Sequence, residues 1–171
     1  MKQLAIALIL LAGLSSCWPK TFMSPIDNSM PENWKKFYIT PLELSAATAP
    51  SNYPANLSEA LRSGIQNNTR LKLASDLEDP ETLKISGIVS GYNTSPIAIQ
   101  QGDLAAKNRL TVSVNFTILT PTKGLEKMEF TSSRFADYES NEQLVDVENR
   151  LLESINQQVV QDVVNKLLSN W

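Results

Sequence analysis

Few residues in this chain could carry covalent chemistry. It has no His and one Cys among 171 residues, which excludes His-based nucleophilic triads, His metal sites, zinc fingers and internal disulfides together. Paired carboxylates remain. Asp137 and Glu139 lie two positions apart, Asp76, Glu78 and Asp79 make an acidic turn, and Glu126 and Glu129 flank the start of a strand. Two carboxyls on either side of a glycosidic bond can hydrolyse it, and the same residues in turns or at a helix N-terminus are plain solvated charge. The second pattern is the expected one, so no enzyme activity, catalytic residue, metal ligand or cofactor is expected. The basic residues suggest more. Lys107 and Arg109 enter the most regular strand and Arg134 lies in the next, so in antiparallel pairing they should fall near one end of a sheet. There they could fork onto phosphates of a lipid head group, or serve as ion-pair partners of Asp137 or a helix acid.

The lone Cys has its own context. Lys2 precedes an apolar run of eleven residues, Leu4 to Leu14, followed by Ser15, Ser16 and Cys17. A permanent span needs about 20 apolar residues, so the run reads as a signal-peptide core. Small residues before a Cys resemble a bacterial lipobox, in which the thiol takes diacylglycerol. Each buried acyl CH₂ contributes about 0.8 kcal/mol, so two or three chains hold a protein on a membrane. Residues 1–16 are expected to be removed and Cys17 lipidated. Residues 17–36, with Pro19, Pro25 and Pro31 and no hydrophobic period, are expected to be an extended tether ahead of a domain over 37–171. Trp18 rather than Asp follows the Cys, which favours the outer membrane. Loss of Lys2 takes the 15 basic residues to 14 against 18 acidic, a net charge of -4. No nucleic-acid partner is expected of such a balance.

The elements that must position these residues follow from periodicity. Phe37 and Ile39 alternate with Tyr38 in a first strand, Lys36 to Thr40. A helix opens at Tyr53-Pro54, or later at a capping box from Asn56 to Glu59, with Leu57, Leu61 and Ile65 on one face and Asn67-Asn68 as its stop. Arg70 to Ala74 is a strand. Leu83, Ile85, Gly87, Val89 and Gly91 fall at period two, Tyr92 to Pro96 is irregular, and Gln100 to Asn108 is a hairpin loop. From Arg109 to Thr120, apolar Leu110, Val112, Val114, Phe116 and Ile118 alternate with Thr, Ser and Asn, a sheet with one wet face. Met128 and Phe130 start a last strand, and Phe135, out of phase with them, predicts a bulge near Ser132 or Ser133. Ser140 to Gln143 is a capping box for a helix of about 28 residues, roughly 42 Å long. Val147, Leu151, Ile155, Val159, Val163 and Leu167 make its stripe. The fold class is α+β: a two-layer sandwich with a mostly antiparallel four- or five-stranded sheet and two helices on one face.

Several segments in this order carry a family resemblance. They are the lipobox, Thr69-Arg-Leu-Lys-Leu73, Gly87-Ile-Val-Ser-Gly-Tyr92 with Pro96-Ile-Ala98, Asn108-Arg-Leu-Thr-Val112, Arg134-Phe-Ala-Asp-Tyr138 and the terminal Asn170-Trp171. With them the chain resembles the Bacteroidota branch of the LPS-assembly lipoprotein family, LptE; the segment after Cys17 departs from that branch's aromatic, Gly-containing pattern. The resemblance implies a lipid-anchored outer-membrane protein on the periplasmic side, partnered with the LptD β-barrel and with lipopolysaccharide, whose work is positioning rather than catalysis. A competing reading is an outer-membrane lipoprotein that activates a peptidoglycan synthase or pilots a secretion pore.

Overall fold

The structure is a computed structural model that describes residues 30–75, 81–97, 107–121 and 126–168. In chain order the elements are β1 (Lys36–Ile39), β2 (Glu43–Leu44), α1 (Tyr53–Asn68), β3 (Lys72–Leu73), β4 (Thr82–Ile97), β5 (Lys107–Leu119), β6 (Lys127–Glu139) and α2 (Leu144–Leu168). The strands form one six-stranded sheet in the order β3-β1-β4-β5-β6, with β2 also on β4. β4, β5 and β6 are antiparallel, whereas β1 runs parallel to both β3 and β4. The sheet has one strand more than the four or five expected: β3 falls within the strand expected over Arg70 to Ala74, and the addition is β2, a two-residue strand with no periodicity to read.

Alternation along β5 decides which face is covered. Leu110, Val112, Val114 and Ile118 are fully buried and Phe116 nearly so. They join Leu57, Leu61 and Ile65 of α1 and Leu151, Ile155, Val159 and Val163 of α2 in one core. Each such side chain contributes roughly 1.5–3 kcal/mol of burial. Both helices lie on that face, and the other face of β4, β5 and β6 carries mainly Ser, Thr, Asn and charged residues, with Ile88 and Phe135 exposed among them.

Four local expectations change. Residues 92–97 continue β4, because a register shift between Val89 and Gly91 moves the buried phase from Val89 to Tyr92. The bulge belongs to β4: β5 and β6 pair without a break from Lys107↔Glu139 to Leu119↔Lys127, and Phe135 alternates onto the open face. α1 starts at Tyr53 with Pro at its first turn, as the Tyr53-Pro54 opening expects, so the later alternative at the Asn56 capping box falls away, and α2 starts at Leu144, where the Glu142 carboxylate accepts from the Glu139 N–H in place of the expected Ser140 to Gln143 capping box. Finally, Met30 and Trp34 are buried in the core, so packing reaches upstream of residue 37. The expected signal peptide, Cys17, the acidic turn at Asp76, Glu78 and Asp79, and residues 100–106 of the expected hairpin loop lie outside the described residues, while Lys107 and Asn108 already belong to β5.

Candidate functional site

The carboxylates come first. Asp137 and Glu139 project from the end of β6 on the open face, directly across β5 from Arg109 and Lys107. Arg109 donates from Nε and Nη2 to the two Asp137 oxygens at 2.7 and 2.9 Å, and Lys107 Nζ lies 3.5 Å from Glu139. The guanidinium hydrogen bonds hold the Asp137 carboxyl below the usual carboxylate range. Glu129 is lowered in the same way by Lys127, 2.5 Å away. A glycosidase acid must keep its proton near neutral pH, and these groups are pushed the other way. They are rungs of an ion-pair ladder.

The three basic residues separate. Lys107 and Arg109 share the open face, where the Arg109 guanidinium also lies 3.6 Å from the centre of the Phe135 ring. Arg134 stands opposite Val112. Val112 is three positions from Arg109, an odd step, so Arg134 points to the other face. It meets α2 there: Nε donates to Asp162 at 2.7 Å, and the Ser132 hydroxyl donates to the same carboxylate at 2.6 Å. The expected cluster of three at one end of the sheet does not form, and each member faces an acid of its own.

Between these charges the open face is neutral and hydroxylated. The Ser113 and Ser133 hydroxyls lie 3.0 Å apart, and Thr131 donates to the Asn115 carbonyl at 2.9 Å. Ser86 and Ser90 hydroxyls donate to β5 carbonyls beside them. The result is a largely polar face on which these hydroxyls and amides satisfy one another, with the exposed Ile88 and Phe135 side chains set among them.

A second candidate escaped the sequence reading. At the β1–β3 edge a pocket of about 1070 Å³ is lined by Lys35, Lys36, Arg70 and Lys72, with Glu32 as its one acid among the described residues. Lys36 and Lys72 stand directly opposite each other in the parallel pairing, an arrangement that costs stability. The Lys-Lys and Arg-X-Lys pairs were visible in the chain; their meeting was not, because it depends on a parallel pairing of strands more than thirty residues apart.

Comparison with known proteins adds to this geometry. A family model described as LptE, lipopolysaccharide-assembly, matches residues 35–167. No curated protein sequence matches the chain. Among solved structures, a protein of Xanthomonas campestris superposes with a TM-score of 0.56 at 10% identity, covering 82% of this chain and 87% of that one. Lipoprotein B of Nitrosomonas europaea gives 0.53 at 15% identity over 85% and 86%. A hypothetical protein of Chlamydia trachomatis gives 0.50 at 13% identity over 80% and 99%. These likenesses are of fold.

Proposed function

The chain belongs to the LptE family of lipopolysaccharide-assembly lipoproteins, and from that premise we propose that it sits, lipid-anchored through Cys17 on the periplasmic side of the outer membrane, as a partner within an LptD-type β-barrel. The family is non-enzymatic, which agrees with the ion-paired, lowered carboxyls of Asp137 and Glu129. Placement in the Bacteroidota branch is part of the same proposal and is supported by the order of the sequence motifs.

The observation that carries the reading is the open face of β4, β5 and β6. A wide barrel has a polar, water-filled interior, and a surface meant to lie against it should be flat, uncharged in sum and rich in short hydroxyl and amide groups. The face comes near that description: Arg109, Lys107 and Lys127 are matched by Asp137, Glu139 and Glu129, Lys84 of β4 adds one further positive charge, and Ile88 and Phe135 are exposed apolar side chains set among the hydroxyls and amides. Contact with lipid A phosphates through Lys107, Arg109 and Arg134 would have to compete with these acids and with Asp162. The pocket holding Lys35 and Lys72 suits phosphate better, since neither residue has an ion-pair partner among the described acids.

Affinity purification of the tagged, lipidated chain from detergent-solubilised membranes tests the reading. A stoichiometric large β-barrel in the eluate is the expected result. Recovery of a peptidoglycan synthase or a secretin in its place would transfer the protein to the competing class.

A further inference from the structure

The two helices leave a groove between them on the side away from the sheet, about 640 Å³ in volume. Seven of its described lining residues are Asn or Gln, and Glu153 is the one charged residue among them. On the open sheet face the polar groups are mostly ion pairs and hydroxyls, so a groove with this density of amides is a distinct chemical zone. Its floor is apolar. Gly64 of α1 lies so near α2 that a Cβ built on it would come within 2.1 Å of Val160 Cγ1, and Ala60 and Val160 line the bottom.

The amides are available and one of them is fixed. Asn156 is only 9% exposed. Its Oδ1 accepts from the buried Tyr53 hydroxyl at 3.0 Å, which sets the orientation of the amide and leaves the Nδ2 donors, with no partner among the described residues, beside the groove. Burial pushes the Tyr53 phenol well above its ordinary range, so that hydroxyl stays protonated and the orientation holds across physiological pH. Asn56 and Asn67 on the α1 wall, and Asn149 and Gln157 on the α2 wall, have side chains with no hydrogen-bond partner among the described residues and reach into the same space.

An amide presents a donor and an acceptor side by side. That pairing matches vicinal hydroxyls, each of which also donates and accepts, and two amide walls over an apolar floor match a sugar ring with hydroxyls at its rim and C–H groups on its face. Without a cation in its lining, the groove offers nothing specific to phosphate. We propose that the groove between α1 and α2 binds neutral glycan, the uncharged sugar portion of the lipopolysaccharide cargo, with Asn156 as its preset donor and Asn149 and Gln157 as its outer contacts. The assignment rests on lipopolysaccharide being the cargo of this family member.

The test uses the full lipidated chain in detergent micelles and a lipopolysaccharide core oligosaccharide stripped of acyl chains and phosphates. Saturation-transfer NMR should detect saturable binding that persists in high salt. Asn149→Ala combined with Gln157→Ala, both exposed positions, should keep the thermal midpoint and weaken binding by about tenfold or more, the scale of two lost polar contacts. Asn156→Ala should weaken it also, and the surface double variant decides the matter if that protein unfolds. Absence of transfer, or equal transfer to the double variant, overturns the proposal. So does binding that requires the phosphates and disappears in salt. If the double variant binds glycan normally but loses its barrel, the groove is a protein contact and the proposal is also overturned. The barrel purification is a separate measurement, so failure of the glycan site and failure of the barrel reading are distinguishable.

Discussion

Arg134 occupies a position that alternation assigns to the core, between Ser132 and Ala136 on the helix-facing side of β6, and Asp162 of α2 is what lets it stay there. Burial alone would raise the Asp162 carboxyl, but hydrogen bonds from Arg134 and Ser132 outweigh it and hold the group below the usual carboxylate range. A carboxyl whose folded pKa is depressed contributes stability that is complete above its unfolded pKa, about 4, and is lost as pH falls through the folded value. Asp162→Ala is therefore expected to cost roughly 1 kcal/mol at pH 7, since one of the two partners is largely exposed, and to flatten the fall in stability between pH 4 and pH 2. Urea denaturation at both ends of that range checks it, and parallel pH profiles for the variant and the parent would remove the carboxylate from the account. Cys17 makes a second prediction at this scale: Cys17→Ser should leave an uncleaved precursor, and mass spectrometry of the N-terminus in parent and variant decides between a lipidated residue and a free thiol. Which residues could matter was legible from type alone. Their partners were not, because Arg109–Asp137 and Arg134–Asp162 join residues 28 apart, and the parity of a β register decides which face each one takes.

α1 and α2 approach each other where Gly64 faces Val160. Alanine is favoured over glycine inside a helix by about 1 kcal/mol, yet the added methyl would sit 2.1 Å from Val160 Cγ1, and overpacking of that kind costs about 1–3 kcal/mol. Gly64→Ala should therefore lower the denaturation midpoint, and Gly64→Ala with Val160→Ala should recover more than the sum of the single changes allows. Additive single effects would mean the helices simply move apart. Elements with strong local periods were readable in advance: β5 from its strict alternation, α2 from its four-residue stripe. Elements defined by a distant partner were not. The two-residue strand β2 exists only because β4 holds it, the strand at Arg70 to Ala74 was legible but its parallel pairing with β1 was not, and the β4 bulge hid behind Gly91, which has no side chain to reveal its phase. Both sheet edges are guarded against further pairing. β3 is two residues long with Lys72 in it, and on β6 the inward Arg134 and the Gln158 amide, which donates to the Phe135 carbonyl at 3.2 Å, occupy the outer side.

At the scale of the molecule the two surfaces of the sandwich differ in kind. The helix side carries the amide groove, and the sheet side is a mainly polar face of ion pairs and hydroxyls with Ile88 and Phe135 exposed on it, with the basic pocket at one edge between them. A subunit enclosed by a barrel needs a wall that slides into place without leaving buried polar groups unpaired, and the internally satisfied hydroxyls of the open face supply that. The centre of this face is the Ser113–Ser133 pair, 3.0 Å apart, with Ser133 exposed and Ser113 half-buried. Ser113→Trp combined with Ser133→Trp would raise two large rings above this plane while leaving the core beneath untouched. Exposed substitutions of this kind change stability by about 0.5 kcal/mol or less, so the thermal midpoint should stay within a few degrees of the parent's, as roughly expected for so small a change. Recovery of the barrel in the detergent purification should fall sharply. Val145→Trp, at an exposed position in the first turn of α2, serves as the control for bulk and should retain the barrel. If the paired tryptophans leave recovery unchanged, the open sheet does not face the barrel wall, and the helix side becomes the surface to test. If both variants lose the barrel equally, the lumen excludes added bulk on every side, and the chain is gripped all round rather than seated against one wall.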